Sequence, residues 1–363
     1  MGQMVVLSAE EVSKVLTIED AIAAVEEAYR QKATGKGVAW PMVYEQFEPG
    51  VADMDIRSGE LAGSGLFGLK LTAWFSQNPK KGLPEIFGTT LLCDNATGEP
   101  LALLNASAVT GLRTGAAAAL GAKWLARADA SKLLVAGAGH MSTYMVAGVL
   151  AACPKVSEVK VWEPVSDAAP EARVERMRDE VAHILGACEH AREASTYSIE
   201  ATADGQGAAA EADIIVTITP ATKPIIPDSW VRPGTHISCV GADMPGKQEL
   251  ASALVARAAV YVDDREQSVA SGELEIPVAE GAITPEDIKA ELGEVIAGTA
   301  TGRSDDEQVT VFDTSRIAVQ DLSASKIAYD RAIEAGLGTV VNCKKVKERK
   351  RQCRSRISPS SSG

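Results

Sequence analysis

One glycine-bearing stretch, residues 132–145, constrains the fold of this chain more than any other. Its first part is apolar and predicts a short buried strand, and the apolar residues from Ser142 to about position 152 predict a helix. Between them the chain reads Gly137-x-Gly139-x-x-Ser142, in which the third small residue is serine instead of glycine or alanine. Such a turn lets the backbone approach a dinucleotide pyrophosphate at the start of the helix. An ordinary strand–helix turn without a ligand is the alternative.

An acidic residue at the end of the next predicted strand supports the dinucleotide interpretation. That strand, residues 159–163, ends on Glu163, which follows Gly139 by 24 positions. A carboxylate at this place can accept hydrogen bonds from both ribose hydroxyls and would repel a 2′-phosphate, so the sequence favours NAD over NADP. The backbone N–H groups of His140 and Met141 would face the pyrophosphate. The cofactor-binding residues predicted from this region are Gly137, Gly139, His140, Met141, Ser142 and Glu163.

The order of predicted elements indicates an α/β protein with two domains. From residue 132 onward, short apolar strands alternate with helices, which predicts a doubly wound parallel sheet, a Rossmann domain over residues 126–318. Before it lie two capped helices and an antiparallel meander, with strands at 38–47, 66–74 and 86–94 and a polar loop at 48–53. A late helix, from about 319 to 335, is predicted to return to this first domain. We therefore predict a discontinuous α+β domain formed by residues 1–125 and 319–343.

The charge and cysteine patterns narrow the class of partner. The net charge is −13, but the segment from Lys344 onward holds eight Lys or Arg and one Glu, which leaves about −20 for the rest. An acidic body argues against nucleic acid as the main partner. We predict a disordered basic tail over residues 344–363; a localisation or nucleic-acid segment is the alternative. The six cysteines have no paired or metal-like spacing, no histidine pairs with metal ligands, and no apolar run reaches the ~18 residues of a membrane span. The sequence thus predicts a cytoplasmic protein with reduced thiols, no metal site and no membrane partner.

Several motifs outside the glycine turn together resemble the ornithine cyclodeaminase/μ-crystallin family. The resemblance runs from about residue 5 to 341, and its most specific part is Gly241-Ala-Asp-Met-Pro-Gly-Lys-Gln-Glu-Leu250. The other motifs are Gly68-Leu-Lys-Leu71, Asn78-Pro79, Gly82-Leu-Pro84, Thr110-Gly-Leu-Arg-Thr-Gly-Ala116, Phe312-Asp-Thr-Ser315 and Ala318-Val-Gln-Asp321. The resemblance implies a nicotinamide cofactor, a substrate with a carbon–nitrogen bond next to a carboxylate, and a homodimer built by the first domain.

The resemblance also implies roles for residues near the substrate. Lys70 would hold the substrate carboxylate, and Asp243 would exchange protons with the substrate amine. Arg57 offers a second carboxylate contact, since the basic residue that the family often has near Met42 is missing. Each residue also has an alternative without a ligand. Lys70 could be an edge lysine with its charge in water, Asp243 could cap the turn that follows it, and Arg57 could be a solvated loop arginine. Ser315 is a further substrate-side position.

Other positions are predicted on the cofactor side. Arg113 and Thr114 lie in an alanine-rich helix, and the resemblance implies that Arg113 reaches the cofactor phosphates. The remaining predicted cofactor-binding residues stand at the ends of two predicted parallel strands and in the motifs that follow. They are Thr219, Gly241, Lys247 and Thr314. At position 316 the family's glycine is replaced by Arg316, which either crowds the pocket or contacts a carboxylate.

These residues predict an NAD-dependent enzyme that transfers the Cα hydride of an amino or imino acid and releases ammonia. If a side-chain amine attacks the resulting imine, the reaction is that of an ornithine cyclodeaminase; if water attacks, it is that of an amino-acid dehydrogenase. The motif spacing does not separate the two, and the resemblance as a whole favours the cyclodeaminase slightly. The remaining alternatives are an alanine-type dehydrogenase, a ketimine reductase, and a μ-crystallin-like protein that binds a cofactor and a small ligand without turnover.

Overall fold

A computed structural model of the protein describes residues 2–166 and 169–343. The basic tail predicted from Lys344 lies outside these residues. The helices, in chain order, are α1 (Ala9–Val15), α2 (Ile18–Ala33), α3 (Ser107–Leu125), α4 (Ser142–Ala152), α5 (Glu171–Gly186), α6 (Gly205–Glu211), α7 (Ser252–Arg257), α8 (Arg265–Ser271), α9 (Glu275–Ala279), α10 (Leu292–Ile296) and α11 (Ala318–Glu334).

Most strands belong to two main sheets, and two of the later strands form a small sheet of their own. Up to residue 105 they are β1 (Gln3–Leu7), β2 (Gly37–Ala39), β3 (Val43–Glu48), β4 (Ala52–Leu61), β5 (Leu66–Phe75), β6 (Ile86–Asp94) and β7 (Pro100–Asn105). The later strands are β8 (Lys132–Ala136), β9 (Glu158–Trp162), β10 (Ser198–Ala201), β11 (Ile214–Thr217), β12 (Thr222–Ile226), β13 (His236–Cys239), β14 (Gln248–Leu250), β15 (Ala259–Val262), β16 (Ala290–Glu291), β17 (Thr310–Asp313) and β18 (Thr339–Asn342).

The first sheet is mostly antiparallel and joins both ends of the described chain. Its order is β18-β1-β7-β6-β5-β4-β2, with β3 also paired to β4. Strand β1 pairs with β18 antiparallel and with β7 parallel, and β4, β5 and β6 form a continuous antiparallel ladder. Residues from positions 339–342 therefore lie in the same sheet as residues 3–7, as a discontinuous domain requires.

The second sheet is parallel throughout and has the order β10-β9-β8-β11-β13-β17-β15-β16. The direction of winding reverses between β8 and β11, and ligands of such sheets bind at the carboxyl ends of the strands next to this reversal. The predicted α/β fold class, a Rossmann domain beside an α+β domain, is confirmed. The exact domain limits stay a prediction.

Strand β4 corrects the sequence analysis, which predicted a single strand at 38–47 and a polar loop at 48–53. The chain instead forms β2 and β3, separated by a short connection, and then the ten-residue β4. Asp53, Asp55 and Arg57 share one face of β4, so the strand lacks the apolar run by which buried strands are usually found. That charged face lines the site described below.

The helix α3 connects the two sheets through a buried core. Fourteen of its 19 residues are buried, and its glycines allow very close packing against α4. A Cβ atom on Gly115 would lie 2.2 Å from the Tyr144 carbonyl oxygen, and one on Gly148 would lie 2.5 Å from the Gly115 carbonyl oxygen. Helix α3 thus fixes the position of Arg113 relative to the glycine turn. Among the described residues, no helix is long and apolar enough to cross a membrane.

Candidate active site

A cleft of about 790 Å³ lies between the first sheet and the carboxyl ends of the parallel strands. Strands β4, β5 and β6 form one wall, α3 and the glycine turn form a second, and the segments after β11 and β13 form a third. The cleft is rich in charge. Its ionisable side chains other than His140 and Tyr44 are Asp53, Asp55, Arg57, Lys70, Arg113, Asp243, Lys247 and Arg316.

Lys70 and Arg113 share one buried carboxylate behind the cleft. The Nζ atom of Lys70 and the Nε atom of Arg113 both donate to Oδ1 of Asp321, each at 2.9 Å. All three side chains are at most 5% exposed. Two cations around one carboxylate leave a surplus of one positive charge at this end of the cleft.

Burial shifts the pKa of these groups. Burial and the neighbouring charges of Arg113 and Arg57 lower the pKa of Lys70 to about 8, although Asp321 opposes the shift. Burial alone would raise the pKa of Asp321, but the charges of Arg113 and Lys70 outweigh it and lower that pKa. Lys70 is therefore a cation that can lose its proton close to neutral pH, next to a carboxylate that stays ionised.

Arg57 lies on β4 directly opposite Lys70 of β5 and is 5% exposed. Its Nε atom donates to Asp55 Oδ1 at 3.0 Å, and its Nη1 atom donates to the carbonyl oxygens of Ser315 and Arg316 at 2.7 and 2.8 Å. The alternative of a solvated loop arginine is thus wrong, since the residue is buried in a strand. Its bonds tie the first sheet to the segment after β17.

Asp243, in the segment after β13, is held by two cations. Its Oδ1 atom accepts from Lys247 Nζ at 2.7 Å, and its Oδ2 atom accepts from Arg316 Nη1 at 2.5 Å. Burial would raise the pKa of Asp243, but Arg316 and Lys247 more than offset this and hold that pKa well below its usual range. Asp243 is therefore a fixed anion at neutral pH. The alternative role of capping the turn at Pro245 has no support in these contacts.

Arg316 adopts a backbone conformation that normally belongs to glycine. Its φ is +62°, and no other non-glycine residue of the described chain has a positive φ. The residue follows β17 and turns its guanidinium into the cleft, where Nη2 donates to the Val240 carbonyl oxygen at 2.8 Å. A glycine would adopt this left-handed backbone without strain.

The glycine turn has the geometry that its motif predicts. Gly137 has a φ of +114°, and a Cβ atom there would lie 2.4 Å from the Ile218 carbonyl oxygen. A Cβ atom on Gly139 would meet nothing within 4 Å, so the backbone is open on that side. Ser142 is buried at the start of α4, and its hydroxyl donates to the Gly139 carbonyl oxygen at 2.5 Å. His140 and Met141 line the cleft.

Glu163 follows β9 directly and contacts this turn. One of its carboxylate oxygens accepts from the Ala138 backbone N–H at 2.9 Å, and the other accepts from the N–H groups of Val165 and Ser166. The carboxylate is therefore fixed beside the glycines by backbone donors. The predicted ribose contact depends on this position of the Glu163 carboxylate beside the glycine turn.

Thr219 and Gly241 are brought together by a residue that was not among the predicted site residues. The buried carboxylate of Glu249 accepts from the backbone N–H of Thr219 at 2.7 Å and from that of Gly241 at 2.8 Å. It also accepts from the hydroxyls of Thr217 and Thr219. Glu249 thus fixes the segments that follow β11 and β13, at the edge of the sheet where a ligand would bind.

Three further predicted residues turn away from the cleft. The hydroxyl of Thr114 donates to the Thr110 carbonyl oxygen at 2.6 Å. Thr314 and Ser315 are fully buried, and their hydroxyls donate to Asp263 at 2.9 and 2.6 Å. Their predicted contacts with cofactor and substrate stay predictions, and the observed role of Thr314 and Ser315 is to anchor the segment that carries Arg316.

Gln320 and Asp321 are further residues without a predicted role. Gln320 accepts from Arg113 and donates to Asp263 and to the Tyr29 hydroxyl, so it connects α11 with α3, with the residue that follows β15, and with α2. Both residues stand in the motif Ala318-Val-Gln-Asp321. The sequence does contain a sign of their role, because an amide and a carboxylate stand at the start of a helix that otherwise has an apolar face. Polar side chains in such a place are expected to have buried hydrogen-bond partners.

The comparisons with known proteins agree with this geometry. The family model for the ornithine cyclodeaminase/mu-crystallin family matches residues 2–336. The chain belongs to this family. The predicted resemblance is confirmed over nearly the whole described chain.

Two of the similar proteins are named as a dehydrogenase and a reductase. An alanine dehydrogenase of Archaeoglobus fulgidus is 36% identical over 339 residues, which cover 93% of this chain and 98% of the relative. An iminosuccinate reductase of Paracoccus denitrificans is 34% identical over 338 residues, which cover 93% and 99%.

Solved structures of family members have the same fold. An archaeal alanine dehydrogenase dimer with bound NAD superposes with a TM-score of 0.80 at 34% identity, covering 93% of this chain and 99% of the other. The Δ1-pyrroline-2-carboxylate reductase of Thermococcus litoralis, in complex with NADH and L-proline, gives a TM-score of 0.83 at 28% identity with the same coverage. These family members bind a nicotinamide cofactor.

Proposed function

We propose that this protein is an NAD(H)-dependent oxidoreductase that acts at the Cα–N bond of an amino or imino acid, of the dehydrogenase or imine-reductase type. The observation that carries the proposal is the buried group of Lys70, Arg113 and Asp321, which faces a cleft beside the glycine turn. The group combines positive charge for a carboxylate with a lysine that titrates close to neutral pH. The named activities of the relatives support the same reaction class.

The residues around the glycine turn fit a dinucleotide. The left-handed Gly137, the open side of Gly139 and the start of the eleven-residue α4 leave room and N–H groups for a pyrophosphate. Glu163 is fixed next to them and favours NAD over NADP. When bound, NAD supplies the hydride acceptor, and NADH supplies the donor, for the Cα atom.

The charged groups of the cleft have distinct parts in this proposal. Arg57 and Arg113 direct positive charge to the substrate's α-carboxylate, and guanidinium groups bind carboxylates well. Neutral Lys70 takes the proton of the substrate amine during oxidation, and cationic Lys70 returns it during reduction. Water then adds to the imino acid, which gives a 2-oxo acid and ammonia. The proton role moves from Asp243, as predicted from the sequence, to Lys70 because Asp243 is held ionised by two cations.

Ornithine cyclodeaminase chemistry is the second candidate. Asp53 is a carboxylate of the cleft whose described hydrogen bond is an acceptance from the Tyr44 hydroxyl at 3.3 Å. Such a weakly bonded carboxylate is a possible partner for the side-chain amine of a diamino acid. The slight preference of the sequence analysis for cyclodeaminase chemistry rests on the family resemblance. The ion pair between Asp243 and Arg316 counts against this chemistry, because it holds ionised the residue that was predicted to exchange protons with the substrate amine.

We also propose a homodimer formed by the first sheet. The face of β3, β5 and β6 opposite Lys70 is apolar and exposed: Val43, Phe47, Leu71, Phe75 and Phe87 keep between 36% and 58% of their surface accessible. Strand alternation puts Leu71 on the side opposite Lys70, and Phe87 pairs with Ala73 on the same side as Leu71. Several large apolar side chains exposed on one face are typical of a protein interface, and the archaeal alanine dehydrogenase structure is a dimer.

Reductive amination tests the proposed function. Pyruvate, oxaloacetate and 2-oxoglutarate are each mixed with ammonia and either NADH or NADPH, and absorbance is followed at 340 nm. We expect ammonia-dependent loss of NADH with at least one of these acids, and at least tenfold slower loss of NADPH. The absence of ammonia-dependent oxidation with all three acids, in a protein that still binds NADH, would contradict the oxidoreductase and leave the cofactor-binding protein.

A further inference from the structure

Arg316 occupies a place where its backbone is unfavourable. A left-handed conformation is strained for a non-glycine residue, and Arg316 has a φ of +62°. Its neighbours Thr314 and Ser315 are anchored to Asp263, and Arg57 binds the Arg316 carbonyl oxygen. The segment is thus held so that the guanidinium enters the cleft. Strain of this kind often marks a functional position.

The positive charge of the cleft is divided between two centres. At the first, Lys70 and Arg113 surround Asp321; at the second, Lys247 and Arg316 surround Asp243. With Lys70 protonated, each centre has two cations and one carboxylate and therefore a surplus of one positive charge; Asp53, which lines the same cleft, offsets one of these charges. Arg57 and Asp55 balance one another. The Arg316 side chain lines the cleft and keeps 22% of its surface exposed. Each of its terminal nitrogens carries a second N–H besides the one that binds Asp243 or Val240, so the guanidinium retains donors for a ligand.

We infer that Arg316 selects a substrate with a second carboxylate, a 2-amino or 2-imino dicarboxylate, by binding the carboxylate of its side chain. This inference rests on the proposed function and names its substrate class. The first centre receives the α-carboxylate, and the second receives the side-chain carboxylate. A diamino acid would bring its ammonium group towards Arg316 and Lys247, and an unbranched apolar side chain would leave the second centre without a partner.

Two other roles compete with this one. In the first, Arg316 serves only to keep Asp243 ionised, and its replacement lowers kcat/KM equally for substrates of every charge. Alternatively, Asp53 can bind a cationic side chain, in which case ornithine or lysine is the preferred substrate. The three roles predict different substrate preferences in the same set of variants.

The test compares Arg316→Gly and Arg316→Lys with the native protein and with Arg176→Ala, a control at an exposed position of α5. Glycine accepts the left-handed backbone, so Arg316→Gly is compatible with folding. Turnover is measured with NAD and L-aspartate, L-glutamate, L-alanine and L-ornithine. We expect native kcat/KM for aspartate or glutamate to exceed that for alanine at least tenfold. In Arg316→Gly this ratio should fall by about 10- to 100-fold, as expected for the loss of a charge-assisted hydrogen bond. Arg316→Lys should lose less, and Arg176→Ala should keep the native ratio.

An equal loss for all four amino acids in Arg316→Gly, or a native preference for alanine or ornithine, would overturn the inference. A binding measurement separates this result from failure of the proposed function. In the presence of NADH, calorimetry compares succinate with butyrate, which differ by one carboxylate. We expect succinate to bind the native protein at least tenfold more tightly and this difference to vanish in Arg316→Gly. If no amino acid is turned over and no 2-oxo acid is reductively aminated, the proposed function fails, and equal binding of the two acids would then reject the role of Arg316 as well.

Discussion

At the scale of single residues, the cleft consists of shared charges. Lys70, Arg113, Asp243 and Arg316 each look like an isolated ionisable residue in the sequence, and each has a partner in the fold. The partners decide the chemistry: Asp321 lets a buried lysine keep a proton, and Arg316 stops Asp243 from taking one. Roles inferred for one residue at a time therefore change when the pairs are known.

Replacement of Lys70 should abolish turnover while the fold persists. We expect Lys70→Met to lower kcat by at least about 100-fold, since acid–base groups contribute on the order of 10²- to 10⁴-fold. The control is Lys14→Met, at an exposed lysine paired with Glu10. Equal activity of the two variants would contradict the role of Lys70.

The pH dependence of turnover by the native protein is a second test of the role of Lys70. With its pKa lowered to about 8, the free amine needed for oxidation forms as the pH rises through 8. Oxidation should therefore speed up across this range, and reduction, which needs the cation, should slow down. An oxidation rate that is flat between pH 7 and 9 would contradict the role of Lys70 as the base.

Some of these residues were predictable and others were not. The glycine turn and Glu163 are local in sequence, so their spacing alone predicts where they lie. Asp321 lies 251 positions from Lys70, and no periodicity links two such distant residues. Buried partners of this kind emerge only when the sheets and α11 are packed together.

At the scale of elements, the α3–α4 contact depends on small residues. A Cβ atom on Gly115 would collide with the backbone of Tyr144, so Gly115→Ala must push the helices apart. We expect a loss of about 1–3 kcal/mol in the free energy of unfolding, as for other overpacked cores, and weaker binding of NADH. Chemical denaturation measures the first effect and fluorescence titration the second.

A matched control exists at the end of α5. A Cβ atom on Gly186 would meet nothing within 4 Å. Gly186→Ala should therefore leave NADH binding unchanged and stabilise the protein by up to about 1 kcal/mol, because alanine is favoured over glycine in helices. Equal effects of the two substitutions would mean that the close approach of α3 and α4 is unimportant.

Strand β13 contains a buried histidine that should make stability depend on pH. His236 hydrogen-bonds Thr310 and Ser238, and burial, together with the charge of Arg303, lowers its pKa to about 3. Between about pH 6.5 and 3 the unfolded chain binds a proton there that the folded chain does not, so stability falls as the pH falls. The maximum slope from one such group is about 1.4 kcal/mol per pH unit.

His236→Gln should make the stability curve shallower between pH 6.5 and 4. The exposed His183→Gln is the control, and buried carboxylates common to both proteins cancel in the comparison. If the two variants have parallel curves of unfolding free energy against pH, His236 is not the group responsible.

Element prediction succeeded where the sequence has a regular apolar pattern. Helix α4 has the predicted bounds, and α11 differs from its predicted bounds by one residue at each end. Strand β4 was missed because one of its faces is charged and lines the cleft. The elements that build the site are the ones whose pattern departs from that of a simple core.

At the scale of the whole molecule, the first sheet serves two purposes with its two faces. One face carries Arg57 and Lys70 into the cleft, and the other exposes the apolar side chains of Val43, Phe47, Leu71, Phe75 and Phe87. The proposed dimer would cover the second face without blocking the first.

Phe47→Glu should disrupt this dimer. Phe47 is 58% exposed and packs beside Phe75, with ring centroids 6.0 Å apart. A buried carboxylate at the interface should weaken association at least tenfold, which sedimentation equilibrium can measure. Ile333→Glu, at a 48% exposed position of α11, is the control. A native monomer, or equal association of the two variants, would contradict the dimer.

Hydride transfer from Cα is the central claim, and one isotope measurement tests it. The protein is incubated with NAD and L-amino acids that carry deuterium at Cα, including aspartate, alanine and ornithine. NADH is followed at 340 nm, its deuterium content is determined by mass spectrometry, and ammonia is assayed in parallel. We predict that NADH accumulates in step with ammonia and contains one deuterium atom. Ammonia from ornithine without net NADH would instead establish cyclodeaminase chemistry, and NADH without deuterium, or no NADH and no ammonia, would contradict the account.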